Sequence, residues 1–324
     1  VNEMAPAHQP GPQHSTQVLD GTPALRRLFG RAAVASVAKR RAQDKRLPAS
    51  SADAAALVPP ARFALRQVTA DAGELTRFQH HVGESATDRL PVSYVHVLGF
   101  PLTLKVMTDA DFPLPPLGMV HTANRVQVHR LPSLDEPLDL TAFTRTLAPH
   151  RRGTVAEIGL TVHSGRELLV EETSVYLAKG VRLFSDGGEQ EAQAEQKANA
   201  RGQSGRDEFE PPEPAALWRF SPVDVRRYAA LSGDANPIHT NPLAARAFGF
   251  PRTIAHGMYT AARALALQAP GGAGWQWAVR FAAPVVLPAT VAAGFAEPGD
   301  RSGLVAWHRR SGKPHLWSNI TPLD

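Results

Sequence analysis

Residues 228–259 read YAALSGDANPIHTNPLAARAFGFPRTIAHGMY, and the fold and chemistry of the chain turn on this stretch. It puts a carboxylate (Asp234), an amide (Asn236) and an imidazole (His239) within six residues. Just upstream, Ser221-Pro222-Val223-Asp224 has the marks of a helix start. Serine caps, proline fits the first helical position, and an acid suits the positive end of the helix dipole. The pattern predicts a helix over 222–231 that stops at Ser232-Gly233, with Gly233 as a left-handed cap. Asp234 to His239 is then expected just past that helix, in a shaped loop that Pro237 keeps from continuing it. Asn241-Pro242 predicts a second short helix that runs to Phe248 and ends at Gly249. A loop pinned by caps at both ends can hold side chains where catalysis needs them.

Taken singly, Asp, Asn and Pro between helices are ordinary turn residues. Their joint arrangement points elsewhere: a carboxylate and an imidazole held together are what moving water into or out of a carbon–carbon double bond requires. A second segment adds to this. In Ile254-Ala255-His256-Gly257-Met258, Gly257 opens an apolar, alanine-rich run that predicts a helix to Gln268. Amides at a helix N-terminus point outward and bind an oxyanion, while a glycine there also suits close packing.

These residues resemble a known family. GDANPIH (233–239) and IAHGM (254–258), continuing into VRFAAPVVLP (279–288), look like the hydratase-2 signature of MaoC-like enzymes. That family comprises R-specific enoyl-thioester hydratases and 3-hydroxyacyl-thioester dehydratases. The resemblance extends upstream: Leu90–Phe112 and Leu117–Arg130 are similar to the first half of double-hot-dog members, so it spans about residues 60–324. It implies an α+β double hot-dog fold, two antiparallel sheets each wrapping a central helix. It also implies a catalytic dyad of Asp234 and His239, with Asn236 ordering the loop and water. The His256-Gly257 pair would lie at the substrate, with the Gly257 amide receiving the thioester oxygen. Where some single-hot-dog relatives carry a serine eight residues after that glycine, this chain has Leu265, which implies an apolar substrate wall. The implied substrate is an acyl-coenzyme A or acyl-carrier-protein thioester, and the implied chemistry needs no cofactor and no metal. Two other functions on the same fold remain open here, a non-catalytic acyl-thioester-binding module and a thioesterase.

Composition bounds these alternatives. The 324 residues hold two domains of ordinary size, and 43% apolar content fits real cores. Zero cysteine excludes disulfides and thiol catalysis and favours a reducing compartment. No clustered His/Asp spacing of zinc type is read in the sequence, so no metal is expected. There is no apolar run near membrane-spanning length and no signal-peptide apolar core at the N-terminus, so an integral membrane segment is not expected and the cytoplasm is the expected location. The net charge of +5 suits an acidic carrier protein or coenzyme phosphates. No nucleic-acid recognition motif accompanies it. The basic excess concentrates in Arg26–Arg46, expected as a helix whose stripe of Leu25, Leu28, Phe29, Ala32, Ala33 and Val37 lies on the protein's own surface.

Along the chain, residues 1–60 are expected to form a disordered, basic extension, with disorder in the Pro/Gln/His-rich 1–22. A first hot-dog unit is expected over 61–184, with a central helix over 94–107 and four strands after it. Residues 185–213 have almost no large apolar side chain and predict a flexible linker. A second, catalytic unit over 214–324 repeats the order: helices to Gln268, then four strands. Two such units in one chain would mimic a dimer of single hot dogs, and a further homodimer is open. The first unit lacks a GDxNPxH sequence, so it is expected to be non-catalytic and to make room for a bulky acyl tail. Its His121, in GMVHTANR, is the histidine that invites attention, although a lone strand histidine is weak evidence.

Overall fold

Ser221 caps its helix as the sequence requires. Its side chain accepts from the Asp224 amide, the Asp224 carboxylate accepts from the Ser221 amide, Pro222 takes the first helical position, and Gly233 ends the helix at φ 71°. In the computed structural model, which describes residues 15–43, 51–185 and 209–323, this helix is one of seven among the described residues, beside a single large sheet.

In chain order the elements are β1 (Thr16–Val18), α1 (Leu25–Gln43), a 3-10 segment (Ser51–Leu57), β2 (Arg62–Val68), α2 (Ala72–Val82), α3 (Val92–Met107), β3 (Val120–Val128), β4 (Leu138–His150), β5 (Gly153–Ser164) and β6 (Glu167–Lys179). There follow β7 (Ala216–Phe220), α4 (Pro222–Ser232), α5 (Pro237–Thr240), α6 (Pro242–Ala247), α7 (Gly257–Gln268), β8 (Trp275–Phe281), β9 (Ala289–Glu297), β10 (Asp300–His308) and β11 (Pro314–Pro322). The sheet order is β1-β2-β4-β5-β6-β3-β8-β11-β10-β9-β7. Read inward from either end past β1, the two halves have the same topology: β2-β4-β5-β6-β3 with α3, and β7-β9-β10-β11-β8 with α7. This is the α+β double hot-dog arrangement expected from the sequence.

The halves meet where β3 pairs antiparallel with β8, from Ala123 opposite Arg280 to Val128 opposite Trp275. One sheet therefore runs through both units, and residues on β3 reach the neighbourhood of either central helix. Helix α3 is apolar nearly all round, as a helix enclosed on every side must be. At Gly99 it lies so close to Leu160 of β5 that any Cβ would collide with that side chain. No described helix is long and apolar enough to cross a membrane.

Three expectations need correction. Residues 15–22 were expected to be disordered, but Thr16–Val18 adds a parallel edge strand to β2, because its backbone groups find partners along Arg62–Ala64. Helix α1 does lie on the protein's own surface, but its buried stripe is Leu28, Ala32 and Ser36, while Ala33 and Val37 are exposed. The small Ala32 and Ser36 let the helix sit close, and the Ser36 hydroxyl accepts from the Leu117 amide at 2.9 Å. Third, His239 is on a helical turn, α5, because Asn236 caps it and Pro237 occupies its first position. Proline breaks the preceding helix and starts this one. Strands β2 and β7 and helix α2 were not anticipated. Most of the expected linker, 186–208, lies outside the described residues, as do 1–14. Phe209, at the linker's end, stacks edge-on against Trp307 and Trp317.

Candidate active site

Asp234 follows the glycine that ends α4, and its Oδ1 accepts from the Asn236 amide at 3.2 Å, an Asx turn. Asn236 Oδ1 in turn caps α5 at the Ile238 amide. Both polar residues of the loop thus shape the backbone that carries His239 one turn later.

His239 is buried, and its Nδ1 lies 2.8 Å from the Ile254 carbonyl. A carbonyl only accepts, so Nδ1 carries the proton and Nε2 is left as a proton acceptor. His256 is fixed the opposite way: Nε2 donates to the backbone carbonyl of Asp234 at 2.9 Å. Its ring stacks on that of His239 at 3.7 Å between centroids. His256 therefore ties the start of α7 to the loop of Asp234. Burial lowers the pKa of both imidazoles, His256 to about 3 with the help of the neighbouring His239, so both are neutral near pH 7. One ligand atom each from Asp234, His239 and His256 lies within 4.8 Å of the others. That separation lets one water or hydroxyl touch both Asp234 and His239 Nε2. The same three side chains could hold a metal ion; His256 Nε2 is committed to the Asp234 carbonyl, while its Nδ1 is buried without a partner.

Gly257 is the first residue of α7, and the amides of a first helical turn have no acceptor within the helix. A Cβ at Gly257 would lie 3.1 to 3.3 Å from three ring atoms of Phe281. Glycine thus serves close packing at a helix start that lines the cavity. Gly257→Ala is expected to displace this turn and lower kcat about ten- to hundredfold with the fold intact. Steady-state rates beside far-UV circular dichroism check it.

Asp234, Asn236, His239, His256 and Gly257 all line one cavity of about 560 Å³. Leu265 does not. It is buried in the core two turns down α7, so the apolar substrate wall expected there is corrected: a leucine at that height packs inward. Thr260 was missed; one turn along α7 from Gly257, it lines the cavity, and its hydroxyl is buried without a protein partner. The three-residue spacing from Gly257 is the helical signal that would have found it.

The first unit also contributes. His96 of α3 and Glu172 of β6 form a buried pair at 2.5 Å, with Asn124 donating to the same carboxylate. Burial works against both charges, but each partner outweighs it: the His96 pKa is raised and that of Glu172 lowered. His96, His121 and Tyr176 line the same cavity as Asp234 and His239. Glu172 was legible in principle: Val170, Glu172, Ser174 and Tyr176 recur every second residue, which puts the acid on an inward face.

A double hot-dog sheet with an acid, a neutral imidazole and a helix N-terminus around one cavity defines a class of enzyme, the hydro-lyases built on this fold. The MaoC-like domain profile matches residues 203–308. The 3-hydroxyacyl-thioester dehydratase X of Mycobacterium tuberculosis is 32% identical over 267 residues, covering 82% of this chain and 91% of its own. The crystal structure of HtdX from Mycobacterium tuberculosis matches with a TM-score of 0.68 at 30% identity, over 81% of this chain and 100% of the other. A MaoC-like dehydratase from Phytophthora capsici, 20% identical, shares the fold, with a TM-score of 0.56 over 82% of this chain and 96% of its own. The chain belongs to the MaoC-like dehydratase family.

Proposed function

We propose that this hydro-lyase catalyses the reversible dehydration of (R)-3-hydroxyacyl thioesters to trans-2-enoyl thioesters in fatty acyl metabolism, with Asp234 and His239 as the catalytic dyad. The observation that carries this is the tautomer of His239: its Nδ1 is spent on Ile254, so an unprotonated Nε2 faces the cavity beside Asp234. In dehydration the Gly257 amide holds the thioester oxygen, which makes the C2 proton removable. His239 Nε2 takes that proton, the C3 hydroxyl rests at Asp234, and the C3–O bond breaks as the double bond forms. The proton returns through the dyad to the leaving hydroxyl, which departs as water. Hydration is the reverse.

Arg152 and Lys179 line the same cavity, which supports a carrier bearing phosphate, either coenzyme A or an acyl-carrier protein. The cytoplasm, with a chain that has no cysteine, remains the proposed location.

The test is enoyl-thioester absorbance with crotonyl- and 2-decenoyl-coenzyme A and the matching carrier-protein thioesters. Loss of the enoyl band with (R)-3-hydroxyacyl product is expected; release of free thiol would instead mean a thioesterase. The pH profile is a second readout. Burial holds the His239 pKa below the ordinary imidazole value of 6.5, against the pull of Asp234 and the Ile254 carbonyl. The base is therefore lost only as pH falls through that lowered value, and the acid limb of kcat/KM is expected to have its midpoint below 6.5. The fold is expected to lose stability over the same range. As pH falls below 6.5 the unfolded chain binds protons that buried His239, His256 and His121 refuse.

A further inference from the structure

Helix α1 belongs to the N-terminal extension, outside the two hot-dog units, yet it reaches the reaction cavity. It is fixed at three points. Leu25, its first residue, sits so close to Gly233 that a Cβ on that glycine would collide with the leucine side chain. Further on, Ser36 Oγ accepts from the Leu117 amide, and Lys39 Nζ donates to the Asp109 carbonyl at 2.9 Å. Gly233 precedes Asp234, and Leu117 lines the cavity. The helix therefore reaches from the loop of the proposed dyad to the segment that leads into β3. One turn after Leu25, the half-buried Phe29 also lines the cavity, its ring centroid 6.5 Å from that of Phe100 on α3.

Along α3 the cavity wall changes character. His96, Phe100, Leu104 and Met107 all line the cavity, at the three- and four-residue spacing of one helix face. His96 stands at the reacting end. Its partner Glu172 accepts from Asn124 Nδ2, which also lies 3.5 Å from the sulfur of Met258, the neighbour of Gly257. From His96 to Met107 the helix runs about 16 Å, and beyond His96 its cavity face is apolar. Phe29 adds a further ring to that apolar stretch. A cavity with one polar end and an apolar extension suits an alkyl chain whose reacting carbons lie at the polar end.

We propose that Phe29 is a specificity-determining residue: with Phe100, Leu104 and Met107 it forms the wall along which the acyl chain lies beyond its reacting carbons, so that the N-terminal extension favours longer chains. The inference rests on the proposed dehydratase site, and it makes α1 part of that site. Because the wall continues past Phe100 to Leu104 and Met107, Phe29 flanks the chain and does not end it.

The experiment titrates wild type, Phe29→Ala, Phe29→Gln and Phe29→Leu calorimetrically with butyryl-, octanoyl- and dodecanoyl-coenzyme A, saturated thioesters that bind without reacting. Turnover of the matching (R)-3-hydroxyacyl thioesters is measured beside it. Wild type is expected to bind the dodecanoyl thioester more tightly than the butyryl one. Phe29→Ala is expected to cut that preference, read as the ratio of the two Kd values, about tenfold, the scale of the apolar area one ring lends to an alkyl chain. Phe29→Gln, which keeps the bulk and loses the apolar surface, should do the same without opening a void, while Phe29→Leu should keep most of the preference. A ratio unchanged in folded Phe29→Ala and Phe29→Gln overturns the proposal. So does an equal loss at every chain length, which would place Phe29 on the pantetheine arm or make it structural. A gain for the longest chain overturns it too, since Phe29 would then be a stop at the chain's end. Length-dependent binding that Phe29→Ala weakens, with no turnover by wild type, would overturn the dehydratase reading and leave the acyl wall in place.

Discussion

His239→Ala is expected to lower kcat by about 10²- to 10⁴-fold, the range that one positioned acid–base group supplies. The His239 Nδ1 is tied to Ile254, so Nε2 is the nitrogen left for the proposed proton transfer. Asp234→Asn is the matching change on the other side. Asparagine keeps an oxygen for the Asn236 amide, and the backbone carbonyl that His256 grips is untouched. The loop should therefore hold its shape while the carboxylate is lost, with a fall in kcat of similar size. The double variant should be little worse than either single one, because the two groups act as a unit. Initial rates on an (R)-3-hydroxyacyl thioester, with near-UV circular dichroism as the control for folding, decide it. A single variant within threefold of wild type would remove that residue from the dyad.

Trp277→Ala is expected to have the largest effect on stability, about 3–5 kcal/mol, from the void left by a large buried ring. Trp277 is fully buried in β8, between Val126 of β3 and Ile320 of β11, at the seam that joins the two units. Its Nε1 donates to Ser318 Oγ at 2.8 Å, and that hydroxyl donates to Gln268 Oε1 at the end of α7. The ring thus ties the seam to the central helix that starts at Gly257. Trp277→Phe keeps most of the volume and leaves Ser318 without its donor, a cost of about 1–3 kcal/mol. Val34→Ala, at an exposed position of α1, should stay within about 0.5 kcal/mol. Urea unfolding midpoints at constant slope measure all three. A Trp277→Ala midpoint equal to that of Val34→Ala would mean that the seam does not carry the fold.

Much of the architecture was legible because it is written in short-range rules. The cap at Ser221, the stop at Gly233 and the start at Asn241-Pro242 each involve residues no more than four apart, and the structure has them. The eight strands anticipated after the two central helices follow from alternation, and their ends moved by only a few residues. The edge strand β1 was missed because residues 16–18 are all exposed, with nothing in their side chains to announce a strand. Strand β7 has only five residues, too few for its alternation to stand out before the helix cap. Leu265 was misplaced for a related reason. Counting along a helix identifies a height, but which side faces a cavity depends on what packs against it.

The sequence by itself determined the loop that bears Asp234, Asn236 and His239, the helix opening at Gly257, and two hot-dog units in tandem, because caps, prolines and hydrophobic periods act locally. The tertiary structure alone decided the protonation state and company of those residues. The Ile254 carbonyl sets the tautomer of His239, His256 reaches back to the Asp234 carbonyl, and Phe281 presses on Gly257. His96, Glu172 and His121 arrive from the other unit through the pairing of β3 with β8. Such contacts depend on sheet register and on the side of the pleat a residue occupies, and a chain acquires both only when distant strands pair.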